Sequence, residues 1–211
     1  MARVRVRQHV NPLSHKYRQR LAVPDWETIY ADRQRPLHLD IGSARGRFLL
    51  NLAPQWPDWN FLGVEIREPL VLEANQLAAD QGLHNLHFLF GNINVEPEHF
   101  LATLPQPLQR VTIQFPDPWF KQRHLKRRVA QPELVTAIAK FLVPNGEVFL
   151  QSDVESVAQE MKERFSENNQ FILTHTTPWL PHNPLTVPTE REIACFNLNR
   201  PVYRCFFRKC S

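Results

Sequence analysis

Residues 115–128 concentrate three kinds of chemistry in one short stretch: a carboxylate, an aromatic ring and a run of cations. Asp117 stands between Pro116 and Pro118. Their rings restrict the backbone on both sides and aim the carboxylate at low entropic cost. Trp119 follows, and two uses are open to it, covering a nucleic-acid base or plugging the core. Lys121, Arg123, Lys126, Arg127 and Arg128 then place five positive charges within eight residues, with His124 among them and no acid. Cations at that density face solvent or phosphate, because buried unpaired charge is costly.

A second group of residues points to a nucleoside-like ligand. The chain has only six glycines, and two of them, Gly42 and Gly46, follow an apolar run and precede a helical one. Glycine between strand and helix permits a tight turn and close approach of backbone to ligand. Glu65 ends the next apolar run, where a carboxylate can accept hydrogen bonds from both ribose hydroxyls. That arrangement serves dinucleotides and S-adenosylmethionine alike, and three details favour the second. The spacing Gly42, Ala44, Gly46 lacks the third glycine of the dinucleotide fingerprint, and Arg47 occupies the first helical turn. Asp40, just before the turn, is placed to face the amino-acid end of the ligand, where a carboxylate suits a sulfonium or an ammonium group.

These residues need a frame. Apolar runs predict strands over 37–41, 60–66, 86–90, 110–115 and 146–150, with late strands over 171–174 and 202–207. Helical spacing or a starting proline predicts helices over 47–53, 69–81, 97–104, 132–142 and 154–165. Alternation through five units implies an α/β fold with a largely parallel sheet and right-handed crossovers. Ligands in such sheets bind beyond the strand C-termini, near the switch point between the first and fourth strands. Asp40, Glu65, Asn92, Asp117 and Asp153 all stand at those ends.

The whole chain bounds the rest. At 211 residues, with 43% hydrophobic and 22% charged, it fits one soluble domain. No apolar run reaches membrane-spanning length, and the N-terminus lacks the apolar core of a secretory signal. Three cysteines without a close pair point to a reducing, cytoplasmic setting. His84 and His87 lack further ligands nearby, so no metal is expected. Residues 1–20 hold six Arg and Lys and no acid, and residues 121–128 hold five more; the rest of the chain carries 14 basic against 21 acidic residues. Two positive segments on an acidic body imply a polyanionic partner held at a defined place. The expected organisation is a basic, flexible N-terminal arm over 1–34 and a single domain over 35–211. Alternating valines over 3–7 would also allow an edge strand.

The stretch from Phe115 to Arg128 resembles the signature of the bacterial tRNA (guanine-N7-)-methyltransferase family. Asp40-Ile41-Gly42 with Gly46 and Phe48, the run Gly63 to Ile66, Gly91-Asn92, Ser152-Asp153 and the run Thr189 to Glu192 agree with it, in the same order. The resemblance covers roughly residues 36–209. It implies a class I methyltransferase fold, with a seven-stranded sheet whose last strand is antiparallel. It also implies methyl transfer from S-adenosylmethionine to N7 of the variable-loop guanine of tRNA. Carried over by position, Asp40, Gly42, Gly46, Glu65, Asn92 and Asp117 would bind the cofactor, with Asp117 also catalytic. Lys121, Asp153, Thr189, Glu190, Arg191 and Glu192 would contact the substrate guanosine, with Glu190 or Glu192 reading its N1–H and N2–H₂ edge. Arg123, His124, Lys126, Arg127 and Arg128 would contact RNA. Ala44, Asn92, Phe120 and Arg191 depart from the family pattern, which usually has glycine, an acid, histidine and an aromatic there. Competing readings are methylation of another RNA nucleotide or of an exocyclic amine, a non-catalytic RNA-binding protein on a nucleotide fold, and a nicotinamide enzyme.

Overall fold

The computed structural model describes residues 10–211, so the alternation over 3–7 lies outside the described residues. Seven strands form one sheet: β1 (Leu37–Ile41), β2 (Asn60–Glu65), β3 (Leu86–Phe90), β4 (Leu108–Gln114), β5 (Leu142–Ser152), β6 (Phe171–Leu173) and β7 (Tyr203–Lys209). Their order is β3-β2-β1-β4-β5-β7-β6. β7 runs antiparallel to β5 and β6, while the β1–β5 pairings are parallel. The order reverses between β1 and β4, so the loops at their C-terminal ends part and leave a crevice.

The helices are α1 (Trp26–Ile29), α2 (Arg47–Leu52), α3 (Glu68–Asp80), α4 (Pro97–Leu101), α5 (Pro132–Phe141), α6 (Glu155–Ser166) and α7 (Glu190–Asn197). Side chains of β1 alternate between two cores, as a sheet covered on both faces requires. Leu37, Leu39 and Ile41 join the larger cluster with α4, α5 and α6. His38 and Asp40 point to the other face, where Phe48, Phe61 and Phe88 pack with α2 and α3. Burying a polar pair on that face is possible only because His38 Nε2 bonds Thr112 Oγ1 at 3.0 Å and Thr112 donates to Asp40 at 2.6 Å.

The predicted strands and helices match within a few residues; β5 begins earlier, and α1 and α7 are not among the predicted helices. The boundary near residue 35 does not hold. Leu21, Trp26 and Tyr30 are buried in the larger core. The Trp26 indole donates to the carbonyl of Thr103 at 2.7 Å, and the Tyr30 hydroxyl to that of Phe61 at 3.1 Å. Three large side chains, two of them with satisfied polar ends, tie residues 21–30 to the domain.

Candidate active site

The β1–α2 turn is shaped by two glycines that do different work. Gly42 has φ +82°, and a side chain there would meet no atom within 4 Å, so the space above the end of β1 is open. Gly46 has φ +70°, and a Cβ would run into the Phe88 ring and Ala74. It lets the turn press onto β3 and α3, which is a packing role. Ala44, between them, has φ +51° and donates its N–H to Glu65 Oε2 at 2.8 Å.

Glu65, Gly42, Asn92 and Asp117 line one cavity of about 130 Å³ at the switch point, with Ile66, Arg67 and Trp119. Asp40 and Gly46 are not in its wall. Asp40 lies one layer back, accepting from Thr112 and, at 3.4 Å, from Gln114 Nε2. Its burial pushes its pKa up to about 6, against the pull of those hydrogen bonds. Glu65 accepts four hydrogen bonds, from Ala44 N and from Arg67 through N, Nε and Nη2. Arg67 also lies within electrostatic reach of Asp117. A ribose diol reaching Glu65 must therefore displace this guanidinium, which has no motif in the sequence to mark it.

Asn92 is engaged as well. Its Nδ2 donates to the carbonyls of Pro12 at 3.2 Å and Tyr17 at 3.4 Å. Val10 and Pro12 complete the cavity wall, so the segment before α1 crosses the rim beside Asn92. Lys16 sits over the Phe90 ring and pairs with Glu68, and Arg20 pairs with Glu96.

The turn after β4 is strained on either side of Asp117. Phe115 has φ +49° and Trp119 φ +41°, a region costing roughly 1–2 kcal/mol for residues with a Cβ. Trp119 is half-buried, with its ring edge-on to His124 and the Arg127 guanidinium 4.9 Å from its centroid. It is a wall of the cavity and no part of the central core. The basic run forms a 3-10 helix, Gln122–Arg127. Lys121, Arg123 and Lys126 are exposed, and Phe120 before them is 73% exposed. Burial and the adjoining Arg127, Arg123 and Lys121 charges lower the pKa of His124. Arg128 departs from the expected RNA-binding set. It is buried, donates to the Pro118 carbonyl at 2.9 Å and pairs with Glu160. It braces the strained turn from below.

The residues expected at the guanosine divide in a similar way. Thr189 caps α7, accepting from Glu192 N at 3.1 Å. Glu190 is exposed and reaches Arg47 at 3.1 Å, which ties α7 to the β1–α2 turn. Arg191 bonds Asp153 through Nε at 3.1 Å, so it points along the end of β5 rather than stacking. Glu192 is fully buried, its oxygens taken by Arg204 Nη2 at 2.6 Å, Asn183 Nδ2 at 2.7 Å and Gln151 Nε2 at 3.3 Å. It has no edge left for a base. The Thr189–Glu192 spacing is that of a capping box, the one sequence signal for α7.

The cavity has the donors and acceptors a nucleoside cofactor with a charged tail requires: open space over Gly42, a carboxylate at Glu65, and an amide at Asn92. Fold and site together define a class I S-adenosylmethionine-dependent methyltransferase. The sequence pattern of a family described as "Putative methyltransferase" matches residues 34–205. A tRNA (guanine-N(7)-)-methyltransferase of Synechocystis sp. is 74% identical over 209 residues, 99% of each chain. One of Microcystis aeruginosa is 62% identical over the same share. The chain belongs to the tRNA (guanine-N(7)-)-methyltransferase family. The 16S rRNA methyltransferase KamB shares the fold, with a TM-score of 0.59 at 14% identity, covering 87% of this chain and 90% of that one. Among the described residues no helix is long and apolar enough to cross a membrane, and no group of three or more His, Cys, Asp or Glu could hold a metal ion.

Proposed function

We infer that this chain transfers a methyl group from S-adenosylmethionine to N7 of a guanine in tRNA, and that the guanine lies in the variable loop. One observation carries the reading beyond family membership: Asp117 stands on a strained turn that lines the same cavity as Glu65 and Asn92, and exposed cations follow it directly. A small-molecule site and a polyanion surface thus share one loop.

When bound, S-adenosylmethionine supplies an electrophilic methyl group on a positively charged sulfur. Guanine N7 carries an available lone pair in its neutral form, so no residue need act as a base to create the nucleophile. The protein's contribution is placement and charge. Glu65 would take the ribose hydroxyls once Arg67 swings aside, and Asn92 the adenine edge once the Pro12–Tyr17 segment lets go of its amide. Asp40 would face the ammonium group from behind Gly42. Asp117 would orient the base and offset the positive charge that N7 methylation leaves on it. Glu190, Asp153 and Arg191 would meet the nucleotide, with Glu190 the carboxylate exposed for the N1–H and N2–H₂ edge. Lys121, Arg123 and Lys126 would contact phosphates, fixing register without reading sequence.

Incubation with methyl-labelled S-adenosylmethionine and unmodified tRNA tests this. Label should enter tRNA, and borohydride–aniline treatment should cut at one variable-loop guanine. Asp117→Ala should lower turnover about 100-fold or more, with tRNA affinity kept within a few-fold. Label without aniline-sensitive cleavage would move the reaction to an exocyclic amine and reject N7.

A further inference from the structure

A row of buried polar side chains crosses the sheet from the cofactor side to α7, and the reaction as described leaves most of it unused. Asp40 and Thr112 are register partners on β1 and β4, Gln114 and Gln151 on β4 and β5, and Gln151 and Arg204 on β5 and β7. Gln114 donates to Asp40 at 3.4 Å, and Gln151 Nε2 donates to Gln114 Oε1 at 2.8 Å. The same Gln151 amide nitrogen donates to Glu192 at 3.3 Å, while its oxygen accepts from Arg204 Nε at 3.2 Å. Arg204 also closes on Glu192 at 2.6 Å. The two amides therefore have one consistent polarity, nitrogen toward a carboxylate at either end. Gln151 and Glu192 are fully buried and Arg204 is 4% exposed.

A buried ion pair with two amides is a poor device for stability, since apolar side chains of the same volume would serve as well or better. Its value lies in register. Directional hydrogen bonds admit one placement of Glu192, and Glu192 is in the first turn of α7, with Thr189, Glu190 and Arg191 beside it. Methyl transfer needs nucleophile, methyl and sulfur in line, and a shift near 1 Å is enough to lose most of the rate.

We propose that Gln151 and Arg204 are positioning residues for methyl transfer: they seat Glu192, and so hold the first turn of α7 in register with the cofactor-side carboxylate Asp40. This rests on the proposed reaction. It gives Glu192 a task that its burial allows, and leaves contact with the base to exposed neighbours.

Three variants test it, each assayed for melting temperature, S-adenosylhomocysteine affinity, tRNA affinity and single-turnover methylation. Glu192→Gln with Arg204→Met removes both charges together and leaves none buried alone. Gln151→Leu cuts the row but keeps the ion pair. Asn183→Ala, in the loop before α7, removes one donor to Glu192 and keeps the ion pair. The first two should keep both affinities within about threefold and lose roughly 10- to 100-fold in single-turnover rate. Asn183→Ala should lose about threefold to tenfold, in rate and not in affinity. A merely structural role predicts rates that follow the folded fraction. Variants that are folded, bind both partners and methylate at the wild-type rate overturn the inference, as does an Asn183→Ala protein that matches wild type in every assay. A wild-type chain that labels no tRNA would instead overturn the reaction on which it stands.

Discussion

Asp40 shows how a side chain proposed for the site can be costly to the fold. Its carboxylate is 4% exposed, and its pKa stands at about 6 against an ordinary 3.8. The folded state thus holds the proton more tightly than the unfolded chain does. Above about pH 6 the buried charge is a penalty, and stability rises as pH falls from there toward the unfolded value. A difference of that size between folded and unfolded chain is worth about 3 kcal/mol at most. Asp40→Asn should therefore melt higher than wild type near pH 7.5, with the gap closing toward about pH 5, and should bind S-adenosylmethionine poorly at both. Lower melting of Asp40→Asn near pH 7.5 would show that the hydrogen bonds from Thr112 and Gln114 outweigh the burial. Asp40, Glu65 and Asp117 are legible because a carboxylate at a strand end is conspicuous in a line of sequence. Gln151 and Arg204 are not, because their partners stand 12 to 53 positions away, brought close by chain reversal and strand register.

At the scale of elements, the basic run looks like one surface in the sequence, and the structure divides it. A 3-10 helix eclipses residues three apart, so successive cations in a short sequence need not share a face. Arg123 and Lys126 are three apart and both exposed, whereas Arg128 turns under the loop to Pro118 and Glu160. The two kinds should separate experimentally. Arg123→Ala should leave melting unchanged and make the slope of log K for tRNA against log salt shallower by about 1. Arg128→Ala should destabilise by roughly 3 kcal/mol, as an ion pair broken on one side does, and should reduce turnover through the displaced Asp117 turn. Equal salt slopes for wild type and Arg123→Ala would remove Arg123 from the phosphate contacts. α7 is hidden in the sequence for an elementary reason. It buries only Glu192 and Cys195, so no apolar stripe marks it, and its Thr189–Glu192 cap is easily taken for a substrate motif alone.

The whole molecule separates two kinds of binding that a single loop joins. The proposed cofactor cavity is walled by Val10, Pro12, apolar side chains at the strand ends and the carboxylates Glu65 and Asp117, and its Glu65–Arg67 pair is close and partly buried. Salt screens such pairs weakly. The proposed tRNA surface is different: Lys121, Arg123 and Lys126 are exposed cations that would release counterions from the RNA. The acidic remainder of the chain sharpens this, since a phosphate backbone laid elsewhere on the body meets repulsion. Both positive segments are visible in the sequence, but their relation is not, because residues 10–20 reach the rim of the cavity only by packing across Phe90 and Asn92. Raising monovalent salt from about 50 to about 200 mM should therefore weaken tRNA binding by roughly 20- to 40-fold, for about three phosphate contacts. S-adenosylhomocysteine affinity should move by less than about twofold over the same range. Turnover at saturating tRNA should hold while the tRNA KM climbs, because the in-line geometry is fixed by buried groups. A parallel fall in cofactor affinity would mean that the Pro12–Tyr17 segment is held by its surface pairs, Lys16 with Glu68 and Arg20 with Glu96, rather than by Asn92 and the core beneath it.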